Sequence, residues 1–233
     1  ELIRKIAFEE SFPKDISSLN IVFLLKQEQL KKGHQTPLFG LRDSSFKTYS
    51  DRPNLLTKRE VRIQILADLE LPEKGILWDI GAGCGTIGLE ALRLRPKLKL
   101  VSIDKRFGTK AIITENAKRL NVSPQKIIEQ DIKLILKKGL PKHLNSPNRV
   151  VIGGCDKATK ISIIKYLSKD IHKGGIIVLP IITYEAMQEI QKVFQDLDYE
   201  TNLNLIQTYK GLTISEGTRF EPNNPIFIIK GQR

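Results

Sequence analysis

Cysteine, histidine, methionine and tryptophan are scarce in this chain, with two, three, one and one among 233 residues. Two cysteines, Cys84 and Cys155, cannot supply the framework of a disulfide-stapled secreted fold, and they point to a reducing, cytoplasmic compartment. Both lie in glycine-flanked turns after expected strands, where they could come close in space. The histidines, His34, His143 and His172, stand apart in expected loops with no cysteine or histidine at ligand spacing, which argues against a zinc site. Long apolar runs are missing as well. The longest, residues 176–182, contains Pro180 and falls far short of the roughly 20 residues that span a bilayer, so no membrane segment is expected. There is no G-x-S-x-G elbow for a nucleophilic serine. Residues 1–5 carry neither an initiator methionine nor the apolar core of a signal peptide, so the chain reads as a piece of something longer.

What is present is ordinary for a globular protein: 40% hydrophobic and 27% charged residues. The length suits one full core with an appendage. The formal net charge of +12 raises encounter rates with polyanions, so the expected partner is acidic, either nucleic acid or a small molecule rich in carboxylates.

From Leu56 onward, short β-rich runs alternate with helical periodicity, the pattern of a parallel sheet with helices on both faces. The expected strands are 75–80, 98–104, 126–131, 149–154 and 175–182, and the helices 85–94, 109–120, 132–138, 157–171 and 184–196. Two last strands, about 201–209 and 225–230, have no helix between them and should form an antiparallel hairpin. Before the first strand, Thr57-Lys58-Arg59-Glu60 reads as a capping box, so a helix should begin at Thr57 and bury Val61, Ile65 and Leu69. It would carry Lys58, Arg59 and Arg62 near its start. Residues 33–51, with Pro37 and Gly40, read as a linker, and the apolar run 21–25 is too short to make a core.

The most informative stretch is Trp78-Asp79-Ile80-Gly81-Ala82-Gly83-Cys84-Gly85-Thr86. An acid at a strand end followed by three alternating glycines lets a flat, polar ligand lie against a turn without a Cβ in the way, and Asp79 can anchor that turn by accepting its N–H groups. The residues also fit the dinucleotide signature G-x-G-x-x-G from Gly83 to Gly88, but an acid beside the turn is a poor neighbour for a pyrophosphate. It suits a cation such as S-adenosylmethionine, so the turn predicts methyl transfer. In such a sheet the ligand lies beyond the carboxyl ends of the strands. There Asp104 can accept the ribose hydroxyls, while Asp131 and the Ile132 backbone can meet the adenine. Each acid could also be a helix N-cap. At the fourth strand's end, Ile152-Gly153-Gly154-Cys155-Asp156 offers no obvious base, so the acceptor should bring its own nucleophile, and Gly153 and Gly154 would leave room for a bulky one.

These residues resemble the decarboxylating precorrin-6Y methyltransferases of cobalamin biosynthesis. The marks are Leu56-Thr57-Lys58-Arg59-Glu60-Val61-Arg62, residues 77–85, Ile152-Gly153-Gly154, Gly217-Thr218-Arg219 and Asn224-Pro225. The resemblance covers residues 36–233 and concerns the half that methylates carbon 15 and removes the acetate carboxyl at carbon 12. It implies an α/β fold: a doubly wound, mostly parallel seven-stranded sheet of the Rossmann-like methyltransferase type, ending in an antiparallel hairpin. It implies cofactor contacts from Thr57, Asp79, Gly81, Ala82, Gly83, Cys84, Gly85, Asp104, Asp131 and Ile132. Substrate contacts would come from Lys58, Arg59, Gly153, Gly154 and Arg219, with the basic residues holding the carboxylates of a tetrapyrrole. The family often has Thr or Ser at the place of Cys84, and Cys155-Asp156-Lys157 departs from its usual glycine- or serine-rich run. By the same resemblance, residues 1–35 are the end of an upstream tetrapyrrole methylase domain that acts at carbon 5, residues 36–55 a linker, and residues 56–233 the methyltransferase domain. A homo-oligomer, a tetramer in relatives, is implied. Two alternatives stand beside this reading: an RNA methyltransferase, favoured by charge but lacking acceptor motifs and aromatic platforms, and a non-catalytic interaction module.

Overall fold

The computed structural model describes residues 13–16, 37–138 and 146–233. The chain divides into two compact units, Glu1–Gln35 and Thr36–Arg233. In the first, Lys14 and Asp15 form a turn. The apolar run 21–25 and His34 lie outside the described residues, as does His143 in the second unit. No helix among the described residues is long and apolar enough to cross a membrane.

The second unit is built from β1 (Gly75–Ile80), α2 (Thr86–Leu94), β2 (Leu98–Asp104), α3 (Thr109–Leu120), β3 (Lys126–Glu129), α4 (Ile132–Lys138), β4 (Arg149–Ile152), α5 (Lys157–Asp170), β5 (Ile176–Ile181), α6 (Tyr184–Gln195), β6 (Glu200–Ile206), β7 (Tyr209–Ile214), β8 (Gly217–Pro222) and β9 (Ile226–Gln232), preceded by α1 (Arg59–Asp68). Seven strands form one sheet in the order β3-β2-β1-β4-β5-β9-β6. The first five are parallel, and β9 runs antiparallel between β5 and β6.

The pleat sorts the strand residues into two cores. Leu77, Leu100, Val151, Ile176, Val178 and Ile228 face one way, against Val61, Ile65 and Leu69 of the first helical segment, Ile87 and Leu89 of α2, and Ile113 and Leu120 of α3. Their immediate neighbours Trp78, Ile80, Val101, Val150, Ile177, Leu179 and Ile229 face the other way, against Ile132 and Ile135 of α4, Ile163, Ile164 and Leu167 of α5, and Met187, Ile190 and Phe194 of α6. Strands buried on both faces must be apolar at nearly every position, which is why these runs were legible as continuous Val, Ile and Leu.

Four expectations change. The capping box does not form: α1 starts at Arg59, its N-cap is Lys58, and no side chain caps it. The Thr57 carbonyl instead accepts from Arg62 Nη1 at 2.6 Å. The third and fourth strands end at Glu129 and Ile152, two residues early, because each chain leaves the sheet to approach a helix start. The last two sheet strands do pair antiparallel, but they are not a simple hairpin, since residues between them form a separate two-stranded unit, β7 with β8. The supposed linker is also fixed to the domain. Leu41, Phe46 and Tyr49 are buried, and Asn116 accepts from Lys47 N–H while donating to the carbonyls of Lys47 and Cys84.

That attachment depends on a buried ion pair. Arg62 and Glu90 are both fully buried, with Arg62 Nε donating to Glu90 Oε1 at 2.8 Å. Glu90 also accepts from the backbone N–H groups of Gly40 and Leu41, and Arg62 donates to Asp43 and to the Leu41 and Thr57 carbonyls. Such a pair is costly to desolvate, but removing one partner strands the other, typically at about 3–5 kcal/mol.

Candidate functional site

Strand order reverses between β1 and β4, and the turns after these two strands meet backbone to backbone. Gly81 has φ +72°, and a Cβ there would sit 2.6 Å from the Gly154 nitrogen, so both its conformation and its neighbour require glycine. Across the same contact, a Cβ on Gly153 would stand 3.0 Å from the Gly81 oxygen. A cleft of about 700 Å³ opens beyond these strand ends, within the usual range for small-molecule sites.

The glycine turn is pinned by its neighbours. The N–H groups of Gly81 and Ala82 donate to the Ile103 carbonyl at 2.8 and 3.2 Å, and that of Gly83 donates to Asp104 Oδ2 at 2.8 Å. Asp79, expected to hold this turn, instead accepts from Gly88 N–H at 3.1 Å, in the first turn of α2. The pleat places Asp79 on the face α2 covers, where first-turn N–H groups lack partners within the helix. Burial pushes the Asp79 carboxyl up to about 7; the Gly88 N–H opposes the shift and the nearby charge of Asp104 adds to it.

Asp104 lines the cleft, with Oδ1 accepting from Arg106 N–H at 2.8 Å. A carboxylate has roughly four acceptor positions, so capacity for ligand hydroxyls remains. Asp131 lies just beyond β3 and acts as an N-cap: its Oδ1 accepts from Lys133 N–H at 2.9 Å and its carbonyl from Leu134 and Ile135. Asp131 and Ile132 still line the cleft, as do Thr57, Gly83, Cys84, Gly153 and Gly154. Gly85 does not line it; with φ +80° it is the N-cap of α2.

Both cysteines line the cleft and are unbonded to each other. Burial pushes the Cys84 thiol up to about 11 and raises that of Cys155, so neither is a ready nucleophile near neutrality. No group of three or more His, Cys, Asp or Glu residues arranged to hold a metal occurs among the described residues.

The cations predicted for the substrate are not all brought together. Lys58 lines the cleft, but Arg59 turns its Nε to the Gly40 carbonyl at 2.7 Å, and Arg219 is exposed on β8; neither lines the cleft. Other cations take their place: Arg52, Lys105, Arg106, Lys133, Lys157 and Lys160. Arg106 stacks on Tyr49 at 4.4 Å and pairs with Asp51, while the Tyr49 hydroxyl donates to the Gly83 carbonyl at 3.2 Å. Lys133 and Lys157 pair with Asp156 at 3.3 Å and Glu189 at 2.5 Å. Asp156 caps α5 by accepting from the Thr159 N–H and hydroxyl, which, with Lys133, hold its carboxyl far below the usual range. Sequence reading missed these lysines because nothing local separates them from the many solvated ones. The sequence signal available was the spacing of Lys157 and Lys160 immediately after Gly153 and Gly154.

A precorrin methyltransferase domain matches residues 48–233. A Sulfolobus acidocaldarius protein named probable cobalt-precorrin-6B C(15)-methyltransferase (decarboxylating) is 28% identical over 179 residues, 76% of this chain and 90% of that protein. The Salmonella typhimurium cobalt-precorrin-6B C(15)-methyltransferase (decarboxylating) is 25% identical over 180 residues, 76% of this chain and 89% of its own. The crystal structure of precorrin-6Y C5,15-methyltransferase from Geobacter metallireducens superposes with a TM-score of 0.73 at 28% identity, covering 85% of this chain and 100% of that one. The domain match takes in every strand of the sheet and the helix α1 before it, and so this chain belongs to the precorrin methyltransferase domain family.

Proposed function

We propose that this chain is an S-adenosylmethionine-dependent C-methyltransferase that methylates cobalt-precorrin-6B or precorrin-6B at carbon 15 and removes the acetate carboxyl at carbon 12. The observation that carries the reading is a cleft with two unlike halves, one a glycine turn beside acids, the other a double glycine ringed by cations.

The first half fits the cofactor. Asp79 and Asp104 are close enough for one charge to raise the other's pKa, a setting that favours a cation and opposes a pyrophosphate. Gly83 presents an open backbone, with only the Leu55 carbonyl within 4.0 Å of where a Cβ would be. Asp104 would take the ribose hydroxyls, Asp131 and the Ile132 backbone the adenine, and residues 81–84 the methionine portion. When bound, S-adenosylmethionine supplies a methyl group on a sulfonium, which an electron-rich carbon can take in line.

The second half fits a polycarboxylate. Lys58, Lys133 and Lys157 would hold its carboxylates, each charge-assisted contact contributing roughly 1.5–3 kcal/mol where partly buried. Gly153 and Gly154 would let the macrocycle approach the methyl group, and alignment of that kind lowers a barrier by up to roughly 7–11 kcal/mol in favourable cases. A homo-oligomer agrees with the exposed apolar side chains Leu205, Tyr209, Ile214 and Phe220 on β6–β8.

The test is incubation of the chain with cobalt-precorrin-6B and methyl-labelled cofactor, followed by mass spectrometry. One label gained and one carbon dioxide lost in the same product is the expected result. No label in the tetrapyrrole, or label passing to RNA instead, would reject the assignment.

A further inference from the structure

Among the described residues, Lys160 is the one cleft cation that is nearly sealed from solvent. It lies in the first turns of α5 and is only 8% exposed. Its Nζ donates to the Cys155 carbonyl at 2.9 Å and to the Gly153 carbonyl, both in the turn that follows β4. Among the described residues it makes no ion pair with a carboxylate. Asp156, whose charge reaches it, is already bonded to Thr159 and Lys133. Burying an ammonium without a carboxylate partner is unfavourable, so this lysine is a poor choice for merely tying two carbonyls together.

An ammonium has three N–H groups, and the carbonyls take two. Among the described residues the third has no partner, and Lys160 lines the cleft beside the double glycine. Burial lowers its pKa, with Cys155 and Asp156 opposing the shift, so the proton is easier to give up than that of a solvated lysine. Among the described residues no histidine and no thiol of ordinary acidity competes: His172 is not part of the lining, and both cysteines are raised.

On the reading above, decarboxylation leaves a carbon that must gain a proton. We propose that Lys160 is the acid of that step. The bond between the acetate methylene and its carboxylate breaks, carbon dioxide departs, and the electron pair passes into the conjugated ring. The methylene carbon then takes a proton from Nζ to become methyl, leaving a neutral amine that water reprotonates. Lys160 is thereby a catalytic residue of the second reaction and not of methyl transfer.

The experiment compares Lys160→Gln and Lys160→Arg with the parent enzyme, using cobalt-precorrin-6B and methyl-labelled cofactor. Gln keeps donors for the carbonyls but has no transferable proton. Arg keeps donors and charge but holds its proton too tightly to release it. In both variants the ratio of carbon dioxide released to methyl transferred, unity in the parent, should fall by roughly 100-fold, the scale of general-acid catalysis, with methylated but undecarboxylated product accumulating. A ratio that stays at unity in either variant, whether or not the overall rate drops, would overturn the assignment and leave Lys160 a structural tie. A parent enzyme that transfers no methyl to the tetrapyrrole would instead reject the underlying reading.

Discussion

The two halves of the cleft differ in what builds them. At the ends of β1, β2 and β3, the wall is a glycine turn whose N–H groups are tied to Ile103 and Asp104, together with carboxylates, each within a few residues of a strand end. At the ends of β4 and β5, the wall is two glycines, and the charges come from α4, α5 and the segment before α1. One half is therefore set by local chain geometry, and the other by which distant elements pack together. Damage to the first should abolish cofactor binding, whereas damage to the second should change what the enzyme does with a bound cofactor.

The contact between Gly81 and Gly154 joins the halves, so its loss should have the largest effect. Gly81→Val places a branched Cβ where the Gly154 nitrogen stands, at a positive φ that β-branched residues avoid. Calorimetry should show no S-adenosylmethionine binding, and thermal unfolding a clearly lower midpoint; wild-type affinity would mean the turns can separate freely.

Asp79 sharpens the comparison through pH. Its folded pKa, about 7, lies above the ordinary carboxyl value of 3.8, so the folded state holds a proton that the unfolded chain has lost. Stability from this group is full below pH 4 and is lost as pH rises through 7, by up to roughly 4 kcal/mol. Denaturant unfolding without cofactor should show Asp79→Asn free of that decline and more stable than the parent at pH 8. Parallel curves for the two proteins would contradict the assigned burial of the charge.

Asp104→Ala removes the partner of Gly83 N–H and the acceptor proposed for the ribose. Cofactor affinity should fall about 10- to 100-fold, the equivalent of one charged hydrogen bond, while tetrapyrrole binding measured alone is spared. Lys58→Ala should do the reverse and more weakly. Its side chain is 44% exposed and its ammonium stands 3.9 Å from Asp43, so a several-fold rise in substrate KM with unchanged cofactor affinity is expected. Equal losses of both ligands in either variant would erase the distinction between the halves.

Much of this was legible before folding was considered. The alternation of strands and helices, the acids at strand ends and the glycine turn all follow from periods of 2 and 3.6 residues and from backbone positions where a Cβ cannot fit. Where local reading went astray, a long-range partner had intervened. Thr57 loses the capping role because the helix starts one residue later, with Lys58 as its N-cap, and Arg62 holds the Thr57 carbonyl. Arg62 itself looked like a solvated charge at the start of a helix, yet it is sealed against Glu90, 28 residues away. Residues 33–51 looked like a linker because Pro37 and Gly40 punctuate them, but Leu41, Phe46 and Tyr49 supply a few well-placed anchors that such punctuation does not reveal.

The amino-acid sequence alone determined the layered α/β architecture, the glycine turn and the kinship with precorrin methyltransferases, since each depends on residues adjacent along the chain. Tertiary structure alone decided which of the 38 lysines and arginines face the cleft, why Arg59 and Arg219 do not, and that Lys160 is buried beneath the double glycine. A positive charge looks the same everywhere along a sequence; what distinguishes one from another is the set of atoms that strand order and helix packing bring to it.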